Sequence, residues 1–336
     1  MSSPPRERTT DPVRSLLAKF DLTDMQSGVW VVLFGVLAVG WILAGPNFVG
    51  GGNLTNILVR AVPLGIVAMG QTLVILGGSL DLSVAYLISV VAVLSAFVMD
   101  GDPNNIPLAI GVGLAVGAGV GLVNGLLVTK ARANPLIATL GTGLVMKGLL
   151  SSRFAAQTGS APREFQLLGY GRIWGFVPLA VLLLLAVFAI AWWMTRGTRF
   201  GAHLYAVGGN KEIARLSGVR DDRVIIGAHV WCSLTAAMTG LFLVARLGAG
   251  APWIGPDGLY DLESIAAVVV GGTALLGGRG GVPGTLAGVL LLAVLDNMFN
   301  ALQVDGFLKS VLRGVIIIAA VASYALRSKR KDVDIA

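Results

Sequence analysis

Gly208-Gly209-Asn210-Lys211-Glu212-Ile213-Ala214-Arg215-Leu216-Ser217-Gly218 decides how this chain is read. It lies in the polar stretch Thr195–Arg223, which carries six basic residues and interrupts long apolar runs on either side. Asn210 is a good N-cap, Glu212 suits the positive end of a helix dipole, and Gly218 suits the C′ position. The pattern predicts a helix over Lys211–Ser217, under two turns long. So short a helix is not stable alone in water. Ile213, Leu216 and Val219 make a small apolar stripe with Lys211 and Arg215 beside it. Such a helix needs a surface to lie against. That surface is either the ends of this protein's own helices or a groove on a cytosolic partner.

Everything around the motif is membrane-like. The 336 residues are 55% hydrophobic and 13% charged, against about 25% charged in soluble domains. Mean hydropathy is +0.80. No polar region is long enough for a second domain. The net charge of +7 is no sign of nucleic-acid binding, because the basic residues fall in loops and at the tail. One cysteine, Cys232, lies inside an apolar run. It forms no disulfide within the chain and reads as a small packing residue. Met1–Gln26 is polar and not a secretion signal. Val13, Leu16, Leu17 and Phe20 allow a short helix on the cytosolic membrane surface, with disorder as the alternative.

A membrane-spanning helix needs about 20 apolar residues. Seven runs qualify or nearly so: Gly28–Gly45, Leu54–Gly78, Leu82–Met99, Ile106–Val128, Leu136–Ser152, Ile173–Met194 and Val224–Ala245. Ser264–Gly278, Val282–Leu295 and Phe307–Leu326 are weaker, and Lys147 and Arg313 intrude on the fifth and last runs. Lys and Arg near span ends mark the cytosol. They gather before the first run, after the fourth (Lys130, Arg132), after the sixth, and after the last (Arg327, Lys329, Arg330, Lys331). The expectation is an all-α, polytopic fold of about ten spans with both termini cytoplasmic in the inner membrane. Three segments divide the chain: residues 1–27, a permease domain at 28–326 with its cytosolic loop at 195–223, and a basic tail at 327–336. Eight spans result if the Ser264–Leu295 region is a re-entrant hairpin around Gly277–Gly281. The loop Arg153–Arg172 fits least well, since it places three Arg residues outside.

Several features sit within the runs. Gly113, Gly117, Gly121 and Gly125 share one helix face and let another backbone approach closely, within the subunit or between subunits. In Leu76-Gly77-Gly78-Ser79-Leu80-Asp81-Leu82-Ser83, two glycines break a helix beside an ionisable group. Broken backbone at membrane depth must be covered by protein or line a cavity, and an intramembrane carboxylate is a functional candidate. Capping of the third run is the contact expected of Asp81. Val270-Gly271-Gly272-Thr273-Ala274-Leu275-Leu276 echoes Leu76–Leu82. Counted as five crossings apart, the two copies would be inverted, an arrangement that places a substrate path between halves. No Gly-x-x-x-x-Gly-Lys-Ser/Thr occurs, so ATP phosphates have no cradle here. His203 and His229 have no cluster of ligands around them, so no metal site is argued, and no Ser–His–acid set is readable. His229 reads as a hydrogen-bonded core residue.

Four landmarks give a resemblance. Gly77–Ser83, Asn134-Pro135-Leu136-Ile137-Ala138-Thr139-Leu140-Gly141-Thr142, Tyr205–Val219, and Val268–Gly278 resemble, in order, those of ribose-type permeases of ABC importers in the branched-chain amino acid/ribose superfamily. The likeness covers roughly Asn53 to Leu326. It implies a homodimer in membrane lipid, a cytosolic ATPase with two nucleotide-binding domains in one chain, and an extracytoplasmic sugar-binding protein. It implies no catalytic residue, metal or cofactor in this chain. The Asn210–Val219 segment would be the ATPase-coupling helix, with Gly209, Asn210, Glu212, Arg215, Leu216, Ser217 and Gly218 as its residues. Asp81, Ser83, Asn124 and Thr139 are expected near the pathway or its gate. The work expected is alternating access that moves a monosaccharide inward. Relatives for branched-chain amino acids or nucleosides are the nearest confusion. An ion-coupled secondary transporter is the rival of a different class, with Asp81 and Asp296 as its inner carboxylates and no evident partner for either. One departure is visible: Ala85 stands where such permeases usually carry glycine.

Overall fold

The computed structural model describes residues 25–309 other than residue 155, and five isolated positions beyond them. The expected surface helix near the N-terminus, Arg313, most of the last run and the basic tail lie outside the described residues. Helix α1 (Met25–Ala44) leads through a 3-10 turn into α2 (Gly51–Leu76). Next come α3 (Val84–Met99), α4 (Ile106–Thr129) and α5 (Pro135–Arg153), then α6 (Arg163–Tyr170) and a two-residue hairpin, β1 (Arg172–Ile173) with β2 (Val177–Pro178). The chain continues as α7 (Leu179–Arg196), α8 (Arg199–Gly209), α9 (Lys211–Leu216) and α10 (Asp221–Leu247). Helices α11 (Ile254–Asp257), α12 (Tyr260–Val270) and α13 (Val282–Ala301) complete it.

Among the described residues, six helices are long and apolar enough to cross a membrane: α2, α4 with its preceding turn, α5, α7, α10 and α13. Gly28–Ala44 and Val84–Met99 are shorter apolar helices. In a bilayer the helix is the open-ended structure that satisfies its own backbone. Helices α2, α3 and α10 form the buried centre, while α4, α5 and α7 expose most of their apolar surface. Lipid or another subunit can cover that surface without a hydrophobic cost.

The glycine face of α4 is spent inside the subunit. A Cβ on Gly117 would lie 2.7 Å from Ala237 Cβ, one on Gly121 2.6 Å from Val230 Cα, and one on Gly125 2.8 Å from Ile226 Cα. The four glycines therefore seat α4 antiparallel on α10.

The connections gather at two ends. At one, Gly101 N–H donates to Ser160 C=O (2.9 Å), Thr158 bridges Gly250, and Ala161 N–H donates to Gly248 C=O (2.8 Å). At the other, Lys130 pairs with Asp222, and Gly278 N–H donates to Leu76 C=O (3.0 Å).

Four expectations change. The run at Ile173 begins as the β1–β2 hairpin, so its helix starts only at Leu179. The Ser264–Gly278 run is helical only as α12, which spans about 16 Å at about 1.5 Å per residue and is too short to cross alone; a glycine loop follows it. The two echoing glycine motifs are not inverted copies. Arg60 and Tyr260 line one pocket, while Thr72 Oγ1 sits 2.8 Å from Thr285 Oγ1 and Gly271 abuts the same residue. Helices α2 and α12 thus run parallel, and their loops lie side by side, because the crossings between them number even rather than odd. Ala85 is an ordinary residue of the first turn of α3, buried and without positive φ, so the missing glycine strains nothing.

Candidate functional site: a capped helix on a glycine junction

Helix α9 forms as the sequence directs. Asn210 Oδ1 accepts from Ile213 N–H (3.0 Å) and caps its N-terminus. Gly218 takes φ +82. Gly218 N–H donates to Arg215 C=O (2.9 Å) and Val219 N–H to Ala214 C=O (3.0 Å), the paired bonds of a Schellman ending. Ser217 Oγ–H donates to Ile213 C=O (3.0 Å), and the helix closes one residue earlier than expected, at Leu216.

Of the two surfaces suggested for this helix, the protein's own bundle takes one face, and the other face remains free. Ala214 and Val219 pack on the bundle. Arg215 Nε–H donates to Asp221 Oδ1 (2.8 Å), and Lys211 Nζ lies 3.3 Å from Asp221 Oδ2. The Asp221 hydrogen bond raises the pKa of the Arg215 guanidinium still further. Ile213 (61% exposed) and Leu216 (84% exposed) face outward with Glu212. Asp221 is the partner that sequence reasoning missed; its place on the next helix gave no local signal.

The root of α9 is a backbone junction. A Cβ on Gly208 would clash with Leu76 C=O and lie 2.6 Å from Gly278 N. Gly277 (φ +89) and Gly278 (φ +71) adopt left-handed backbone, where a Cβ would lie 2.8 Å from Gly78 N and 2.6 Å from Gly209 Cα respectively. Three glycine pairs, from three landmarks far apart in sequence, therefore meet backbone to backbone. Tyr205 O–H donates to Gly280 C=O (2.9 Å) and fixes α8 to the same loop; burial pushes that phenol above its usual range. Beside the junction opens a pocket of about 690 Å³ that includes Ser79, Arg132, Asn210, Lys211 and Arg215 in its lining.

Past the junction, Gly78–Ser83 runs without helix into the bundle. Here Asp81, Ser83, Asn124 and Thr139 do come together. Ser83 donates to Asp81 Oδ1 from both its N–H (2.9 Å) and its hydroxyl (2.5 Å). Asn124 Nδ2 donates to Ser83 Oγ (2.9 Å) and lies 3.3 Å from Asp81 Oδ2. Leu82 N–H donates to Thr139 Oγ1 (3.1 Å). The expected cap is corrected: the N-cap position of α3 is Ser83, and no side chain caps the helix there. Asp81 instead turns back on Ser83 and inward.

His229 completes the cluster. Its Nδ1 is 3.4 Å from Asp81 Oδ2 and its Nε2 is 2.9 Å from Ser79 Oγ. The tautomer that satisfies both contacts carries its proton on Nδ1 and accepts from the Ser79 hydroxyl at Nε2. The core role read for His229 is borne out. The order Ser–His–Asp is also that of hydrolase triads, a set unreadable from a sequence in which Ser79 and His229 lie so far apart. Ser79 is only 5% exposed and the other two are fully buried. The network holds a buried carboxylate by several donors, as burial demands. Asp81 thus has partners that the sequence did not show, while Asp296 accepts from Asn300 (3.3 Å) and lines a separate pocket with Arg60 and Glu263.

A bundle of long apolar helices with one outward-facing, capped polar helix defines a polytopic α-helical membrane permease. Comparison with known proteins agrees. The chain belongs to the family described as branched-chain amino acid transport system / permease component, whose model matches residues 53–321. It is 37% identical over 302 residues to the ribose import permease protein RbsC of Escherichia coli K12, covering 88% of this chain and 92% of that protein. It is 31% identical over 331 residues to the galactose/methyl galactoside import permease protein MglC of Haemophilus influenzae (93% and 97%). It is 34% identical over 308 residues to the L-arabinose transport system permease protein AraH of E. coli K12 (90% and 91%). No solved structure matches. The ribose-type likeness read from the four landmarks holds, and the chain is a multi-pass ABC-importer permease, a transport subunit rather than an enzyme.

Proposed function

We propose that this permease imports a monosaccharide, delivered by an extracytoplasmic binding protein, through alternating access driven by a cytosolic ATPase. Two copies would form the pathway, with both termini and the 195–223 loop on the cytosolic side. That placement needs an even number of crossings, and ten would supply it, with 248–258 and α12 together as the eighth. Relatives named for ribose, galactose and arabinose support a sugar over an amino acid, as does a cluster of Ser, Asn and Thr around a carboxylate already matched by its own donors.

The observation that carries the reading is α9 itself. Its inner face is tied down by Asp221, its root is wedged between Leu76 and Gly278, and its outer face offers Ile213, Leu216 and Glu212. ATPase movement received on that face would pass to Gly77–Ser83 by direct backbone contact, and so to the Asp81 cluster acting as gate. The four cluster residues would then open or seal the path rather than perform chemistry.

The test is ATP hydrolysis in the reconstituted complex of permease, ATPase and binding protein. Replacing Glu212 and Arg215 should leave insertion intact and abolish hydrolysis stimulated by sugar-loaded binding protein. Stimulation equal to wild type removes the coupling role from α9.

A further inference from the structure

Two stretches of non-helical backbone enter the bundle from opposite ends and meet at the first turn of α3. From the α9 end, 77–83 climbs as far as Ser83. From the other end, the chain after Gly248 descends to α11, where Gly255 N–H donates to Ser89 Oγ (3.0 Å) and the glycine lies flush on the Ala85 carbonyl. The meeting point is deep. A Cβ on Gly143 would lie 3.3 Å from Tyr86 Cδ2 and 3.6 Å from Ser83 Cα, which puts the start of α3 level with Gly143. That is about 12 Å along α5 from Pro135, at a rise of about 1.5 Å per residue. Interrupted backbone at this depth must be covered by protein or line a water-filled space.

A pocket of about 460 Å³ runs from that level to the C-terminal end of α5, among Tyr86, Lys147, Leu150, Phe154, Trp253 and Pro256. Its size falls within the range of about 300–1,000 Å³ usual for small-molecule sites. Lys147 Nζ stands 6.0 Å from the Tyr86 ring centroid, and among the described residues no carboxylate pairs with it. An ammonium on a membrane-spanning helix does not face lipid without a large cost. The ends of such helices hold snorkelling cations, and Arg153 already occupies that place on α5. Trp253 is 44% exposed, on a segment held by buried Ala251 and Gly255. Three aromatic rings, Phe154 being the third, and one unpaired donor therefore share a space that lipid does not suit. A sugar has faces of C–H bonds and a rim of hydroxyls, which match rings and ammonium respectively.

We propose that Tyr86, Lys147 and Trp253, in the pocket between the first turn of α3 and the C-terminal end of α5, form a contact site for a neutral sugar in transit, the rings taking its C–H faces and Lys147 donating to its hydroxyls. This rests on the sugar-import reading above. The test is uptake of labelled D-ribose, D-galactose and L-arabinose by cells carrying the complete importer. Trp253→Ala and Tyr86→Ala should each cut uptake of the best-transported probe by roughly tenfold or more at equal membrane abundance, with Trp253→Phe close to wild type. Lys147→Met lies on an exposed helix face and tolerates substitution. It should shift the uptake ratio of that sugar to its deoxy analogue by roughly tenfold, because a site built to hydrogen-bond a hydroxyl discriminates against its loss. The ratio does not depend on abundance, so it decides the matter even if Trp253→Ala fails to reach the membrane. Uptake and ratio unchanged in these variants overturn the site. So does a Lys147→Met variant that loses its second copy on purification while keeping the ratio, since Lys147 would then be a subunit contact. A wild-type importer that takes up none of these three nor any of a wider panel of labelled monosaccharides overturns the sugar reading itself, before any variant is compared.

Discussion

Gly208 and Leu76 meet so closely that the Leu76 carbonyl oxygen occupies the space a Cβ on Gly208 would need. Neither neighbour can give way by rotating a side chain, since both contacts are backbone. Gly208→Ala should therefore strain the junction by about 1–3 kcal/mol, the usual cost of overpacking. Thermal unfolding of the detergent-solubilised permease should shift down, and uptake should fall further than abundance does. Unchanged stability would mean that the junction is looser than its geometry.

Asn210→Ala removes the one side-chain cap of a six-residue helix. The loss is about 1 kcal/mol, and a helix this short has no reserve against it. Binding of the permease to its ATPase should weaken, while Asn210→Asp or Asn210→Ser should retain it. Co-purification of the complex measures the difference.

Glu212 and Arg215 should separate when replaced singly. Arg215 is tied to Asp221 within the chain, whereas Glu212 points outward with no ion pair among the described residues. Arg215→Ala should increase proteolytic cleavage in 209–219 of the isolated permease. Glu212→Ala should leave cleavage unchanged and lower only the ATPase response. Equal cleavage in both variants would place the Arg215–Asp221 pair outside the docking of α9.

The Asp81–His229 contact sits wholly within the bundle. Removing the carboxylate leaves the His229 Nδ1–H donor buried without its acceptor, a loss of about 1–3 kcal/mol. Asp81→Leu should sharply reduce the amount of folded permease. Asp81→Asn keeps the shape and two polar atoms, so it should fold and instead change transport. Equal folding yields for the two would argue that water already reaches this cluster.

Local signals carried much of this. Asn210, Gly218 and the glycine face of α4 were legible because capping, left-handed backbone and four-residue spacing are properties of one segment. Asp81, Ser83, Asn124 and Thr139 are expected near one pathway or its gate, and the fold brings them together. The wrong reading of Asp81 as a cap came from the same locality: its real partners, Asn124 and His229, sit on other helices. Asp221 and Ser79 were invisible for that reason. The extent of α12 was misjudged because apolar residues continue through Ala274–Leu276 after the helix has ended at Gly271. Hydropathy records what tolerates the interior, whereas the glycines record where the backbone stops being regular. The inverted echo failed on arithmetic of direction, which only packing against Thr285 resolves.

Cys232 is fully buried on α10, where its thiol donates to Gln71 Oε1 (3.2 Å), and the chain has no other cysteine. The native polypeptide is consequently silent toward water-soluble maleimides. A single thiol introduced at Ile213 or at Lys147 would be the sole target for such a reagent, giving accessibility maps from either side of the membrane without first engineering a cysteine-free background.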